Sequence, residues 1–198
     1  MVALWRLLRL SLFTGVVVCV LGLASCVKKA DGPLVGTRTD EAGYRTTYQY
    51  KFDDEGNQIL HGTMTVYWPN GRKYREENWQ DDRLHGSLYV WDSEGRMIRS
   101  YTYEDGLEQG KAEEWEINAG LHVEMWYENG YLHGPRMVRD NNGTLRTLAT
   151  YFRGRLHGSQ IYMYPESGVV TIDSYTNGQL VKEGEPIALA SIIPPVRD

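Results

Sequence analysis

Histidine is the first residue type in this chain whose spacing invites a chemical reading. His61, His85, His133 and His157 each stand in the tripeptide Leu-His-Gly, at 60–62, 84–86, 132–134 and 156–158. Imidazoles in phase suggest a metal ladder, but equivalent residues of a hairpin array lie two strands apart, ~9.6 Å. Ligands of one zinc ion lie within about 4 Å of each other. No ion bridges two rungs, and the ladder reads as support for turns. His122 stands off the ladder. Asp53-Asp-Glu-Gly56, Asp92-Ser-Glu-Gly95 and Asp140-Asn-Asn-Gly143 have the look of calcium loops, yet lack the spacing and closing glutamate of an EF-hand. Acids and Asn ahead of glycine are also what a hairpin turn uses. A catalytic site needs a nucleophile, a base and an orienting group that stand apart from the repeat. Every polar residue type here is accounted for by the period or by turns, so no metal, no cofactor and no catalysis are expected. The aromatic side chains remain. Tyr and Trp join a large area to a polar tip, which suits proteins or sugars. Trp115, Trp126, Tyr127, Tyr103 and Tyr151 are the candidate binding residues, with packing inside the sheet as their competing role.

The elements that must position these side chains follow from periodicity. The Leu-His-Gly copies are separated by 24, 48 and 24 residues, and Gly110 marks the missing copy, midway between Gly86 and Gly134. Trp79, Tyr103, Tyr127, Tyr151 and Tyr175 form an aromatic column at the same 24-residue interval; Tyr67, Trp91 and Trp115 start a second. Gly120 and Gly168 come one residue late against Gly71, Gly95 and Gly143. Each unit reads as two strands and two turns. Thr63-Met-Thr-Val-Tyr-Trp68 is rich in β-formers and ends at Pro69-Asn70-Gly71, whose glycine accepts a positive φ. Leu-His-Gly is expected to open the following strand. The fold class is therefore all-β, an elongated antiparallel hairpin array with no helix beyond the signal peptide. It comprises a half unit, 44–59, and five repeats, 60–83, 84–107, 108–131, 132–155 and 156–179. Repeats are expected over 44–182, with a C-terminal tail at 183–198. The third unit, with Glu113, Glu114 and Glu116, is either the least stable hairpin or one edge of a partner site.

The N-terminus reads as an address. Arg6 and Arg9 precede an apolar stretch from Leu10 to Leu23, short of the ~20 residues that a spanning helix needs. Small residues follow, completing the pattern of a signal peptide over 1–25. Leu23-Ala24-Ser25-Cys26 resembles the bacterial lipobox. That resemblance implies a lipid on the Cys26 thiol, palmitate or a similar chain, and cleavage before it. Val27 in place of aspartate implies, by the same resemblance, the outer membrane of a diderm cell; in a monoderm, anchoring is on the outer face of the cell membrane. Residues 26–43 are expected to be a flexible tether of roughly 20–25 Å. Removing 1–25 leaves 19 basic against 26 acidic residues, a net −7. Such a surface argues against nucleic acid, whose phosphates require a basic partner. Without its leader the chain keeps one cysteine and can form no internal disulfide, so packing must stabilise it.

Tyr127-Glu-Asn-Gly130-Tyr-Leu132-His133-Gly134 and Tyr151-Phe-Arg-Gly154-Arg-Leu156-His157-Gly158 resemble the MORN repeat, in its bacterial variant form. The resemblance covers 44–182 and implies a binding or scaffolding module rather than an enzyme. Two copies depart from it: Trp79-Gln-Asp-Asp-Arg-Leu84 lacks the first glycine, and Leu107-Glu-Gln-Gly110 replaces Leu-His. Three partner classes stay open: an envelope protein, a cell-wall glycan, or an exported toxin met by an immunity-like protein. The 24-residue period and the lack of Gly-Trp openings favour the first over sugar-binding hairpin repeats.

Overall fold

β-Branched and aromatic residues recur through 63–68, 145–151 and 169–175, a composition that fits a pleated, half-buried surface. The computed structural model describes residues 32–191, and in it these runs lie in strands, apart from Trp68, which follows the end of its strand. Leu34–Thr39 is β1 and Arg45–Phe52 is β2. The first repeat supplies β3 (Gln58–Tyr67) and β4 (Lys73–Gln80), the second β5 (Arg83–Trp91) and β6 (Met97–Glu104). The third supplies β7 (Leu107–Glu108), β8 (Gly110–Glu116) and β9 (Leu121–Glu128), and the fourth β10 (Tyr131–Asp140) and β11 (Leu145–Phe152). The fifth gives β12 (Arg155–Tyr164) and β13 (Val169–Thr176), followed by β14 (Gln179–Lys182) and β15 (Ile187–Ala188). They form one open antiparallel sheet of 15 strands in which chain neighbours are sheet neighbours from β1 to β14; β7 pairs with β6, and β15 returns to pair with β13. No α-helix occurs among the described residues, only a 3-10 turn at Leu189–Ser191. The signal peptide, Cys26 and residues 192–198 lie outside the described residues.

The tether departs from expectation. Six of its residues, Leu34–Thr39, are strand β1, in register with β2 from Leu34↔Tyr50 to Thr39↔Arg45. Gly36 permits this pairing: a Cβ there would meet the Tyr48 ring at 2.3 Å, so the ring lies directly over the glycine. The first part of the expected C-terminal tail likewise folds back, with Ile187 opposite Val170.

Turns alternate between two edges of the sheet. On one edge the connections are tight, with positive φ at Asp81 and Asp82, Asp105 and Gly106, Asn129 and Gly130, Arg153 and Gly154, and Asn177 and Gly178. Two consecutive positive-φ residues are the type I′ geometry that matches strand twist. On the opposite edge the turns are longer. Asp140 Oδ1 accepts from the amides of Asn142 (3.0 Å) and Thr144 (2.9 Å), and Asp92 does the same for Glu94 and Arg96. The acidic loops are thus Asx turns, and no group of His, Cys, Asp and Glu fit to hold a metal occurs among the described residues. The late glycines close slightly wider loops, where the Gly120 amide donates to Ile117 and that of Gly168 to Pro165.

Leu-His-Gly does not open a strand; it lies inside one, as a bulge. Tyr50 faces Leu60 and Tyr48 faces Met64, so three residues of β3 oppose Gln49 alone. The same shift recurs between β9 and β10, where Tyr127 faces Leu132 and Met125 faces Arg136. A bulge needs a residue that accepts an unusual backbone, and Gly62 and Gly134 supply it with φ of 107° and 91°.

Candidate functional site

Strand alternation sorts the five aromatic candidates onto two faces. Tyr103 shares a face with Tyr101, two residues away, whose ring lies beside that of Tyr127. Met125 faces Arg136 and Arg136 faces Ala149, which puts Tyr127 and Tyr151, each two residues further on, on that same side. This is the tyrosine face. Trp115↔His122 and Lys111↔Trp126 put the two tryptophans on the other. All five are half-buried. They do not form one site.

The tyrosine face holds the buried apolar cluster found among the described residues. Ala112, Val123 and Met125 are its buried cluster, with Tyr101, Tyr127, Leu132 and Val138 packed against them. The glutamates of the third unit mark it in the sequence as the weakest hairpin or a partner edge, yet it carries this core. The reason is that its strands separate their side chains cleanly: Ala112 and Met125 point one way, Glu113 and Glu124 the other. Tyr101 lies 6.0 Å from Tyr127 on the diagonal, ring to ring. The Tyr101 hydroxyl donates to Glu114 Oε1 at 2.5 Å and the Tyr103 hydroxyl to Glu108 Oε1 at 3.3 Å. Burial and these carboxylates raise both phenols, Tyr103 to about 12, so they remain donors at neutral pH. Together with Arg75, Arg99 and Leu88 these rings line a shallow groove of about 320 Å³.

The tryptophan face is built differently. Each member of its column is covered by a nitrogen-bearing neighbour: Arg45 sits 4.0 Å above Tyr67, Lys73 lies 5.6 Å from Trp91, and His122 stacks on Trp115 at 4.9 Å and 7°. Where Glu113 and Arg139 interrupt the apolar row, charges pair with one another. Lys111 Nζ reaches Glu113 (3.0 Å) and Glu124 (2.9 Å), His122 Nε2 reaches Glu113 (3.3 Å), and Arg139 reaches Glu124 (3.5 Å). The hydrogen bond from Lys111, first among several causes, holds the Glu124 carboxyl below its ordinary range. Trp126 stands opposite the His133-Gly134-Pro135 bulge, at the position that holds Gln49, Asn78, Thr102 and Thr150 in other units. It is a large aromatic in a polar row.

The histidine ladder runs along the tight-turn edge. His61 Nδ1 lies 3.1 Å from Asp81 Oδ1, His85 3.8 Å from Asp105, and His133 3.2 Å from Glu128. The tripeptide also joins one turn to the next through its backbone. The Leu60 carbonyl accepts from Asp82, Leu84 from Gly106, Leu132 from Gly154 and Leu156 from Gly178, at 2.8–3.0 Å. Glu108 takes the place of leucine in the third unit and accepts from Gly130, while Gln109 in the histidine position accepts from the Asn129 amide at 2.9 Å. These turn-to-turn bonds recur at each copy of the motif and persist in the third unit, where Glu108 and Gln109 replace Leu-His. Sequence reasoning finds the ladder and misses the bonds, because the signal lies in the bulge and not in any side chain.

It also misses a groove of about 710 Å³ at this edge, bounded by Tyr131, Phe152, Arg153 and Arg155. Its signal is Phe152, the one apolar residue in a row of Gln80, Glu104, Glu128 and Thr176. Residues 60–81 match a family model described as MORN repeat variant. No curated protein matches the chain.

Proposed function

We propose that this chain is an exported lipoprotein whose MORN-type hairpin units form a non-catalytic platform for another protein. The anchor reading rests on Leu23-Ala-Ser-Cys26 at the end of a short apolar run. The platform reading rests on one observation: Trp115 and Trp126 are half-buried on a face where Lys111, Glu113, Glu124 and Arg139 are paired around them. Aromatic anchors within a polar rim are the usual composition of a protein contact surface. Paired rim charges do not have to be stripped of a partner when a protein docks, which keeps the desolvation cost down. The charged side chains around the two tryptophans, Lys111, Glu113, Glu124 and Arg139, are engaged in these pairs, which suits a structural rim better than acid–base chemistry.

One cell-based experiment tests both halves. Cys26→Ser is expected to lose fatty-acid labelling and to leave the membrane fraction. In the lipidated chain, Trp126→Ala is expected to weaken crosslinking to the partner that the wild-type chain captures by more than about tenfold, with the melting temperature nearly unchanged. Normal processing and retention of Cys26→Ser would remove the anchor. A Trp126→Ala chain that melts early yet captures normally would show Trp126 to be packing alone.

A further inference from the structure

At the tight-turn edge the fourth unit abandons the pattern of its neighbours. The residue in phase with Gln80, Glu104, Glu128 and Thr176 is Phe152; the residue in phase with Asp81, Asp105, Asn129 and Asn177 is Arg153. Arg153 adopts φ 47° in that turn. The left-handed region suits Asp, Asn and Gly, and a longer side chain there is a local strain. The lining is open to solvent: Tyr131 is 59% exposed and Phe152 46%, and Arg153 and Arg155 are exposed beside them. Arg153 and Arg155 enter no ion pair among the described residues, whereas the one acid of the groove, Glu128, lies 3.2 Å from His133. In a chain of net charge −5 this edge is a basic and aromatic exception.

We infer that this groove binds an acidic, apolar-containing peptide segment of a protein partner. The inference rests on the platform reading above and names the chemistry of what docks. Two unpaired guanidinium groups present forked donors that match carboxylates. Tyr131 and Phe152 between them offer apolar area for a side chain that alternates with the acids. A sugar ring needs a flat, open aromatic face. The Phe152 ring lacks one: the Arg153 guanidinium sits 5.6 Å above it, and His133 and His157 tilt against it at 5.1 and 5.9 Å. The groove lies on the tryptophan face, since Glu128 follows Trp126 by two residues along β9. An acidic segment there extends the contact surface proposed for Trp126.

The test uses the full chain in detergent and a fluorescent peptide, Glu-Phe-Glu-Glu-Leu-Glu, beside its counterpart with glutamine for every glutamate and the acidic sugar polymer polygalacturonate. Fluorescence anisotropy is expected to show the glutamate peptide binding about tenfold tighter than the glutamine one, with the preference lost at high salt. The double variant Arg153→Gly, Arg155→Gln is expected to erase that preference while keeping the wild-type melting temperature. Glycine suits the positive φ, and Gln179 already fills the position in phase with Arg155. Phe152→Thr copies the in-phase Thr176 and is expected to weaken both peptides equally. Equal affinity for the two peptides, or a preference that survives the double variant, overturns the inference. Polygalacturonate displacing the peptide while binding more tightly overturns it in favour of a glycan, and self-association abolished by the double variant overturns it in favour of a second copy. If the Trp126-dependent capture succeeds while the glutamate preference is absent, this inference falls and the platform reading stands.

Discussion

Glu77 shows how a repeat tolerates a residue that its position does not favour. Its counterparts in phase are Tyr101, Met125, Ala149 and Asp173, and it is 2% exposed on the tyrosine face. Burial pushes its carboxyl above the ordinary carboxylate range, opposed by the charge of Arg75, whose Nε lies 3.2 Å from Oε2. A carboxyl raised in the folded state binds its proton more tightly there than in the unfolded chain. Stability therefore falls as pH rises from the ordinary carboxylate range through the folded value, and the penalty is complete above it. The Arg75 side chain is 40% exposed and stays hydrated if its partner loses its charge. Glu77→Gln is accordingly expected to raise stability at neutral pH by about 1 kcal/mol, seen as a melting temperature ~2–4 °C higher. Near pH 4 the gain should vanish. A loss of stability at neutral pH would mean that the Arg75 pair outweighs desolvation. Periodicity points to the position of Glu77 but not to its burial, because the charge breaks the apolar pattern that reveals a core.

At the scale of the strand, the bulge is what ties one unit to the next, and its glycine is the part most open to test. At Gly134 a Cβ would find space, its nearest neighbour being Trp126 Cβ at 3.9 Å. Gly134→Ala therefore meets only the positive φ of 91°, and a loss of about 1 kcal/mol is expected in urea unfolding. At Gly62 the same Cβ would lie 2.2 Å from Gln49 Oε1, which accepts from the Thr63 amide at 2.8 Å. Gly62→Ala must displace that acceptor as well and is expected to cost about 1–2 kcal/mol more. Equal losses at the two sites would mean that Gln49 moves freely and its bond carries no weight. The strands and their 24-residue phase are legible in Leu-His-Gly and the aromatic columns. The bulge is not, because a register shift is a relation between two strands and leaves the one-strand pattern intact. β1 is hidden for a related reason: Gly36 and Thr37 carry little apolar signal, and only Tyr48 on the neighbouring strand makes the glycine a good fit. The candidate aromatics are recognisable as a set, but their division between faces depends on strand parity, which the register settles by pairing Lys111 with Trp126 and Ala112 with Met125.

For the molecule as a whole, that parity decides which chain lengths can fold. Strands contact their sheet neighbours from β1 to β14 in chain order, and no long-range crossover ties distant units together among the described residues. Stability in such an array is close to a sum of unit and nearest-neighbour contributions. Removing 132–155 joins Tyr131 to Leu156 and hands the Asn129-Gly130 turn directly to a new Leu-His-Gly bulge. Tyr127 would then face Leu156 as it now faces Leu132, and Gly158 would stand where Gly134 stood. The shortened chain is expected to keep a β-rich circular dichroism spectrum and a cooperative urea transition. Its m-value should fall by about a sixth, since m scales with the surface exposed on unfolding. Removing one residue fewer, 132–154, retains Arg155 after the turn and slips the following strand by one. A slip of one sends every side chain of that strand to the opposite face, so Gln160 and Tyr162 would leave the tyrosine face and Ile161 and Met163 would enter it. That chain is expected to lose the cooperative transition. If both deletions unfold alike, the units are not interchangeable and the sheet is held by something other than contacts between neighbours.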